Sequence, residues 1–212
     1  MALGVVVIPV TPFQQNCSLV WDDATMTGVL VDPGGEVDRL TAVAADKGVT
    51  LEKILLTHGH IDHIAGAGAL ARDLGVPIEG PHREDAFWID QLQPQARFFG
   101  WPDTPEPVRP TRWLDQGETV TVGRLTLDVL HCPGHTPGHV VFFEPEARVA
   151  FVGDVLFAGS VGRTDFPRSD PPALIEAIKT RLLPLGDDVT FVPGHGPTST
   201  LGHERLTNPY LR

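Results

Sequence analysis

The chain reads as a mixed α/β protein in which short strands empty into ligand-bearing loops, and three observations predict this. Short β-branched runs alternate with Gly/Pro turn signals and with a few stretches of helical period. Glycine-framed histidine and aspartate clusters follow directly on four of those runs. The length of 212 residues and the 42% hydrophobic content suffice for a substantial core, and there is no long internal repeat or disordered tail. One domain spanning residues 1–212 is therefore expected.

Each element has its own local reason. Val5 to Val7, Ser18 to Trp21 and Gly28 to Val31 read as an opening meander that ends at Asp32-Pro-Gly-Gly35. Leu40, Val43 and Ala44 fall on one face of a helix expected over Val37 to Lys47. Ile54-Leu-Leu56 is a continuous apolar run, the mark of a strand buried on both sides, so His58 and His60 sit at its carboxyl end. Ala67, Leu70, Ala71 and Leu74 recur at helical spacing, which starts a helix at Asp62 or His63. Leu125, Leu127 and Val129 alternate as a half-buried strand that leads into the loop from His131 to His139. Val149 to Val152 runs into Gly153-Asp154, and Val189 to Val192 into Pro193-Gly-His195. Leu174, Ile175, Ile178 and Leu182 form a further helix face, with Ser169 or Asp170 as cap and Pro171 in the first turn. Between Phe87 and Trp113 aromatics mix with Pro94, Pro102, Pro105, Pro107 and Pro110, and regular structure is not expected past Gln95. That stretch is either a connection packed on the core or a lid or wall over the ligand loops.

The chemistry concentrates in Thr57-His-Gly-His-Ile-Asp-His63. Two histidines one residue apart, then Asp62 and His63, place four ligand-competent side chains in one tight turn. Neutral imidazole and carboxylate suit a borderline divalent ion: zinc first, with iron or manganese as substitutes. His135, Asp154 and His195 arrive from later loops of the same strand-end type. His131, His139 and His203 read instead as hydrogen-bonded core or surface groups, with His139 able to orient a ligand. His82 reads as an exposed residue at a helix start. Cys132 lies three residues before His135 but reads as a buried structural thiol.

Bulk properties exclude several classes. A formal charge of −11 argues against a nucleic-acid surface. No apolar run approaches membrane-spanning length. Cys17 and Cys132 are too few for a disulfide framework, and residues 1–10 lack the pattern of a signal peptide, so a reduced cytoplasmic setting is expected. Oligomeric state is not legible.

The segments PVTPFQQNCSLVW at 9–21, THGHIDHIAG at 57–66, HCPGHTPGHVVF at 131–142, GDVLFAGSVGRTDF at 153–166 and PGHGPTSTLGHERLTNPYL at 193–211 together carry a family likeness. On them the chain resembles the metallo-β-lactamase-fold hydrolases, and among these the short type II hydroxyacylglutathione hydrolases, or glyoxalase II. The resemblance implies a four-layer αββα sandwich with two metal ions at one edge. It implies that His58, His60 and His135 bind one divalent ion, that Asp62, His63 and His195 bind a second, and that Asp154 bridges them. Ions this close supply an activated water and polarise a carbonyl. Asp62, with a carboxylate oxygen to spare, is the residue expected to hold the attacking oxygen in line.

The leaving group selects among substrates. A thiolate, with a pKa near about 8.5, departs without a proton donor, whereas an amine requires one, and these motifs hold no spare acid. Thioester hydrolysis is then the expected reaction, and the resemblance implies S-lactoylglutathione as substrate, split to lactate and glutathione. Arg163 occupies the position where the longer relatives grip glutathione with a basic residue, and it is the substrate-binding candidate. Asp165 and Pro197 stand where those relatives carry tyrosines. The rival expectation is a persulfide dioxygenase with one Fe(II) on His58, His135 and Asp154. Lactonases, β-lactamases and a catalytically dead scaffold are further alternatives.

Overall fold

The computed structural model describes residues 2–212. The opening meander is present as β1 (Leu3–Val10), β2 (Gln15–Asp22) and β3 (Thr27–Val31), followed by α1 (Val37–Asp46) and β4 (Thr50–Leu55). Next come α2 (Ile61–Ile64), α3 (Ala67–Leu74), β5 (Ile78–Glu79), α4 (Ala86–Asp90) and α5 (Leu92–Phe99). The second half holds β6 (Thr119–Val122), β7 (Leu125–His131), β8 (Val140–Glu144), β9 (Val149–Gly153), β10 (Leu156–Phe157) and β11 (Ser160–Val161). It closes with α6 (Pro171–Ala177), β12 (Thr190–Pro193), β13 (Ser199–Thr200) and α7 (Leu201–Thr207).

Among the described residues two large sheets form, one in the order β1-β2-β3-β4-β5 and one in the order β13-β12-β9-β8-β7-β6. Side-chain alternation along the strands dictates how they stack. Val20, Val29, Val31 and Leu55 of the first sheet meet Leu127, Val140, Phe142 and Phe151 of the second in one buried cluster between them. The opposite face of the first sheet, with Leu19, Leu30 and Ile54, buries Leu40 and Ala44 of α1 and Leu70 of α3. The outer face of the second sheet, with Val141, Ala150 and Phe191, buries Leu174 and Ala177 of α6 together with Ile178 and Leu182. Three cores separated by two sheets make the expected αββα sandwich. No described helix is long and apolar enough to cross a membrane.

Two elements differ from the sequence reading. The helix expected from Asp62 onward is broken in two at Ala65-Gly66, where the Gly66 N–H donates to Pro33 O at 3.0 Å, and Leu74 is exposed. The proline-rich stretch is ordered further than expected, because α5 continues to Phe99. Pro94 lies in its first turn, where a missing N–H costs nothing, and no further proline follows before Pro102. Asp170, one of the two expected caps, accepts from Ala173 N at 3.0 Å at the start of α6.

Candidate metal centre

Strands β4, β7, β9 and β12 all deliver their following loops to one edge of the sandwich. β4 ends at Leu55 and presents His58 and His60; β9 ends at Gly153 beside Asp154; β12 ends at Pro193 before His195. β9 and β12 pair in parallel, so Asp154 and His195 emerge side by side. Gly194 makes this approach possible, since any side chain there would run into Asp154 Oδ1 and the His63 ring. The structure brings together all seven side chains singled out from the sequence. The ligand atoms of His58, His60 and His135 lie within 4.8 Å of one another, and so do those of Asp62, His63 and His195. Asp154 sits between the two trios. Its Oδ1 is 3.4 Å from His63 Nε2, and its Oδ2 is 3.6 Å from His135 Nε2 and 3.8 Å from His195 Nε2.

Outer atoms hold these rings in place. His135 Nδ1 donates to the Arg163 carbonyl at 2.7 Å, and His195 Nδ1 donates to the Phe13 carbonyl at 3.2 Å. His63 Nδ1 lies 2.9 Å from Asp32 Oδ2, and His58 Nδ1 lies 3.0 Å from Thr57 Oγ1. Each such bond engages one ring nitrogen and turns the other toward the cluster, the arrangement of metal-binding histidines. Nε2 of His58, Nε2 of His63 and Oδ1 of Asp154 are indeed buried without a hydrogen-bond partner among the described residues. Buried polar atoms left this way are costly unless something charged completes them, so the donor set fits divalent metal ions.

Electrostatics points the same way. Burial drives the His58 and His60 imidazoles well below their ordinary range, so both are neutral and ready to ligate. Burial also opposes charge on His63, yet Asp154, Asp62 and Asp32 outweigh it and push its pKa up to about 9. Burial pushes the Asp62 carboxyl up, but His63 and His195 prevail and hold it well below the usual carboxylate range. Carboxylates thus demand positive charge at this second trio, a demand that a divalent cation meets.

Several supporting residues were not singled out from the sequence. Asp32 accepts from Thr57 N at 2.7 Å and Thr57 Oγ1 at 2.6 Å while holding His63. It ends β3 just as the ligands end their strands, and that shared position was the available signal. Asp85 accepts from Gly59 N at 2.8 Å, Gly138 N at 2.6 Å and Thr136 Oγ1 at 2.8 Å, tying two ligand loops together. Gln95 of α5 accepts from Ile61 N at 2.9 Å and donates to Gly59 O at 3.2 Å. Neither of these two carries any local sequence mark.

The remaining histidines behave largely as read. His139 Nε2 accepts from Asp154 N at 3.0 Å and so orients that carboxylate's loop, and His203 is exposed. His131 Nε2 donates to the Pro137 carbonyl at 2.8 Å. His82 departs from expectation: it is partly buried and stacks on His131 at 4.1 Å. Cys132 is fully buried, and burial pushes its thiol up to about 12.

His60, Asp62, His135, Asp154 and His195 line a cleft of about 1140 Å³, with His58 and His63 buried behind them. Phe87, Trp88, Pro94, Gln95, Phe98 and Phe99 line one wall, so the first part of the proline-rich stretch is that wall. Its later tryptophans, Trp101 and Trp113, pack on the core instead. Arg163 also lines the cleft, with its guanidinium forked onto Asp165 at 3.0 and 2.7 Å and stacked over Phe166 at 4.8 Å.

Known proteins share this architecture. The family model described as the metallo-beta-lactamase superfamily matches residues 10–195. The hydroxyacylglutathione hydrolase GloC of Haemophilus influenzae is 47% identical over 210 residues, an alignment covering 99% of this chain and 98% of that protein. The crystal structure of TTHA1623 in a di-iron-bound form superposes with a TM-score of 0.89 at 41% identity, covering 98% of this chain and 100% of that one. That of the B3 metallo-beta-lactamase BLEG-1 gives a TM-score of 0.89 at 33% identity, covering 98% and 99%.

Proposed function

The chain belongs to the metallo-beta-lactamase superfamily, and on that premise we propose that it is a metal-dependent thioester hydrolase of the glyoxalase II type, which splits S-lactoylglutathione into lactate and glutathione. What supports this is the convergence of seven ligand-competent side chains, with Nε2 of His58, His60 and His63 and Oδ1 of Asp154 buried and unpartnered among the described residues. His58, His60 and His135 would hold one divalent ion, Asp62, His63 and His195 a second, and Asp154 would bridge. Such ions supply Lewis acidity and an activated water at neutral pH.

The chain's own residues do the positioning. Asp62 faces the cleft with a carboxylate that stays ionised, so it acts as a hydrogen-bond acceptor that aims the attacking water. Asp32, Thr57 and His139 keep the ligand rings and Asp154 from drifting as charge develops. A thiolate leaves without protonation, which suits a cleft whose carboxyl groups are committed to the cluster. Arg163, exposed beside the ligands, offers its fork to a substrate carboxylate in exchange for Asp165. The similarity to GloC of Haemophilus influenzae supports the glutathione thioester as substrate.

The test is turnover of S-lactoylglutathione by purified protein, before and after chelation and after return of zinc, iron or manganese. Hydrolysis that is lost with the metal and restored with it supports the proposal. A fully metallated protein that leaves the thioester intact, or that consumes oxygen with glutathione persulfide instead, overturns it.

A further inference from the structure

The cleft is far more aromatic than a lactoyl group requires. At its inner end Trp88 meets the edge of His60 at 4.5 Å, and Phe166 lies 4.8 Å from His60 and 5.7 Å from His135. The other end, beside the second trio, is a rim of phenylalanines. Phe13, whose carbonyl accepts from His195, packs edge-on against Phe99 at 5.6 Å, and Phe99 against Phe98 at 5.0 Å. All three are exposed for such large apolar side chains, Phe98 at 84% and Phe13 and Phe99 at 43% each. Clustered exposed aromatics of this kind mark a binding surface, whereas single exposed apolar residues need no account.

Charge divides the cleft the same way. Arg163 and Asp165 stand with Phe166 at the end next to the first trio. A thioester whose carbonyl lies at the ligand cluster must send one arm toward that polar pair and the other toward the phenylalanine rim.

Resting on the thioester reading, we propose that Phe13, Phe98 and Phe99 form a subsite for an apolar acyl arm, so that alkyl or aryl acyl thioesters are preferred over short hydroxyacyl ones. The arm is held by area removed from water, and its head carries no recognised charge. Each methylene added within reach of the rim should then raise kcat/KM by up to about fourfold.

The experiment is kcat/KM for glutathione thioesters of lactoyl, acetyl, butanoyl, hexanoyl and phenylacetyl groups, with a mirrored series of lactoyl esters on increasingly apolar thiols. The expected result is a rise along the acyl series, flattened in Phe98→Ser and Phe99→Ser and retained in Leu206→Ser, a control at an exposed leucine of α7. Turnover of lactoylglutathione with a flat acyl series overturns the subsite and leaves the hydrolase reading intact. A rise only in the thiol series, flattened by Phe98→Ser, overturns the acyl assignment. A flat acyl series together with dimerisation abolished by Phe98→Ser assigns the rim to a second copy of the chain and overturns it as well. Failure to hydrolyse any thioester overturns the function itself.

Discussion

Asp154 is the side chain on which the two trios depend, because its two oxygens face different histidines. Asp154→Ala should lower bound metal below two ions per chain and reduce kcat by more than about 100-fold, since even outer partners of metal ligands cost about 10–100-fold. Metal quantification with steady-state kinetics checks this, and two tightly held ions with ordinary turnover would refute the bridging role. Arg163 makes a different demand. Its fork can serve a substrate carboxylate only by leaving Asp165, so Arg163→Ala should raise KM for an anionic thioester about tenfold and change kcat less. An unchanged KM would reduce Arg163 to its ion pair with Asp165.

Between elements, single buried carboxylates act as ties. Burial pushes the Asp85 carboxyl up to about 7, and it accepts from the backbone of both the loop after β4 and the loop after β7. Asp85→Ala leaves two buried N–H groups unmatched, so unfolding free energy should fall by about 2–5 kcal/mol, and metal affinity about 10–100-fold. Denaturant titration and chelator competition measure the two effects, and loss of stability without loss of affinity would separate the brace from the metal centre. Asp22, in β2, reaches across to Arg124 in the turn between β6 and β7 with an Nε–Oδ2 distance of 3.0 Å. The Arg124 hydrogen bond and that from Ala24 N hold the Asp22 carboxyl well below its usual range. A lowered pKa contributes stability above the unfolded value, about 3.9, and loses it as pH falls below that. Asp22→Asn should therefore be less stable at neutral pH and show a shallower loss of stability below about pH 4. Urea unfolding at pH 3 and pH 7 reads this directly, and an unaltered acid slope would contradict it.

Over the whole molecule, what was legible in the sequence is what depends on neighbours along the chain. Alternation in Leu125, Leu127 and Val129 marks a strand because one face is buried, and the burial of β7 alternates accordingly. The seven candidate ligand positions were legible because they fall in motifs that follow strands ending at one edge of the sandwich. The supports were not, because topology rather than sequence brings them in: Asp32 reaches Thr57 across 25 residues, Asp85 reaches Gly59 across 26 and Gln95 reaches Ile61 across 34. The break at Gly66 was hidden for the same reason, since its partner is Pro33 on another loop. Prolines in the stretch from Phe87 to Trp113 suggested irregularity, yet Pro94 falls in a first turn and α5 forms the cleft wall with Phe98 and Phe99 at its end.

The central claim is that one edge of the sandwich, fed by loops from both sheets, would hold two ions on two trios with Asp154 shared between them. The most direct measurement is an anomalous-scattering map from crystals of the metal-loaded protein. Two peaks are expected, one among His58, His60 and His135 and one among Asp62, His63 and His195, with density from Asp154 reaching both. A single peak held by His58, His135 and Asp154, with the Asp62 trio turned away, would contradict it.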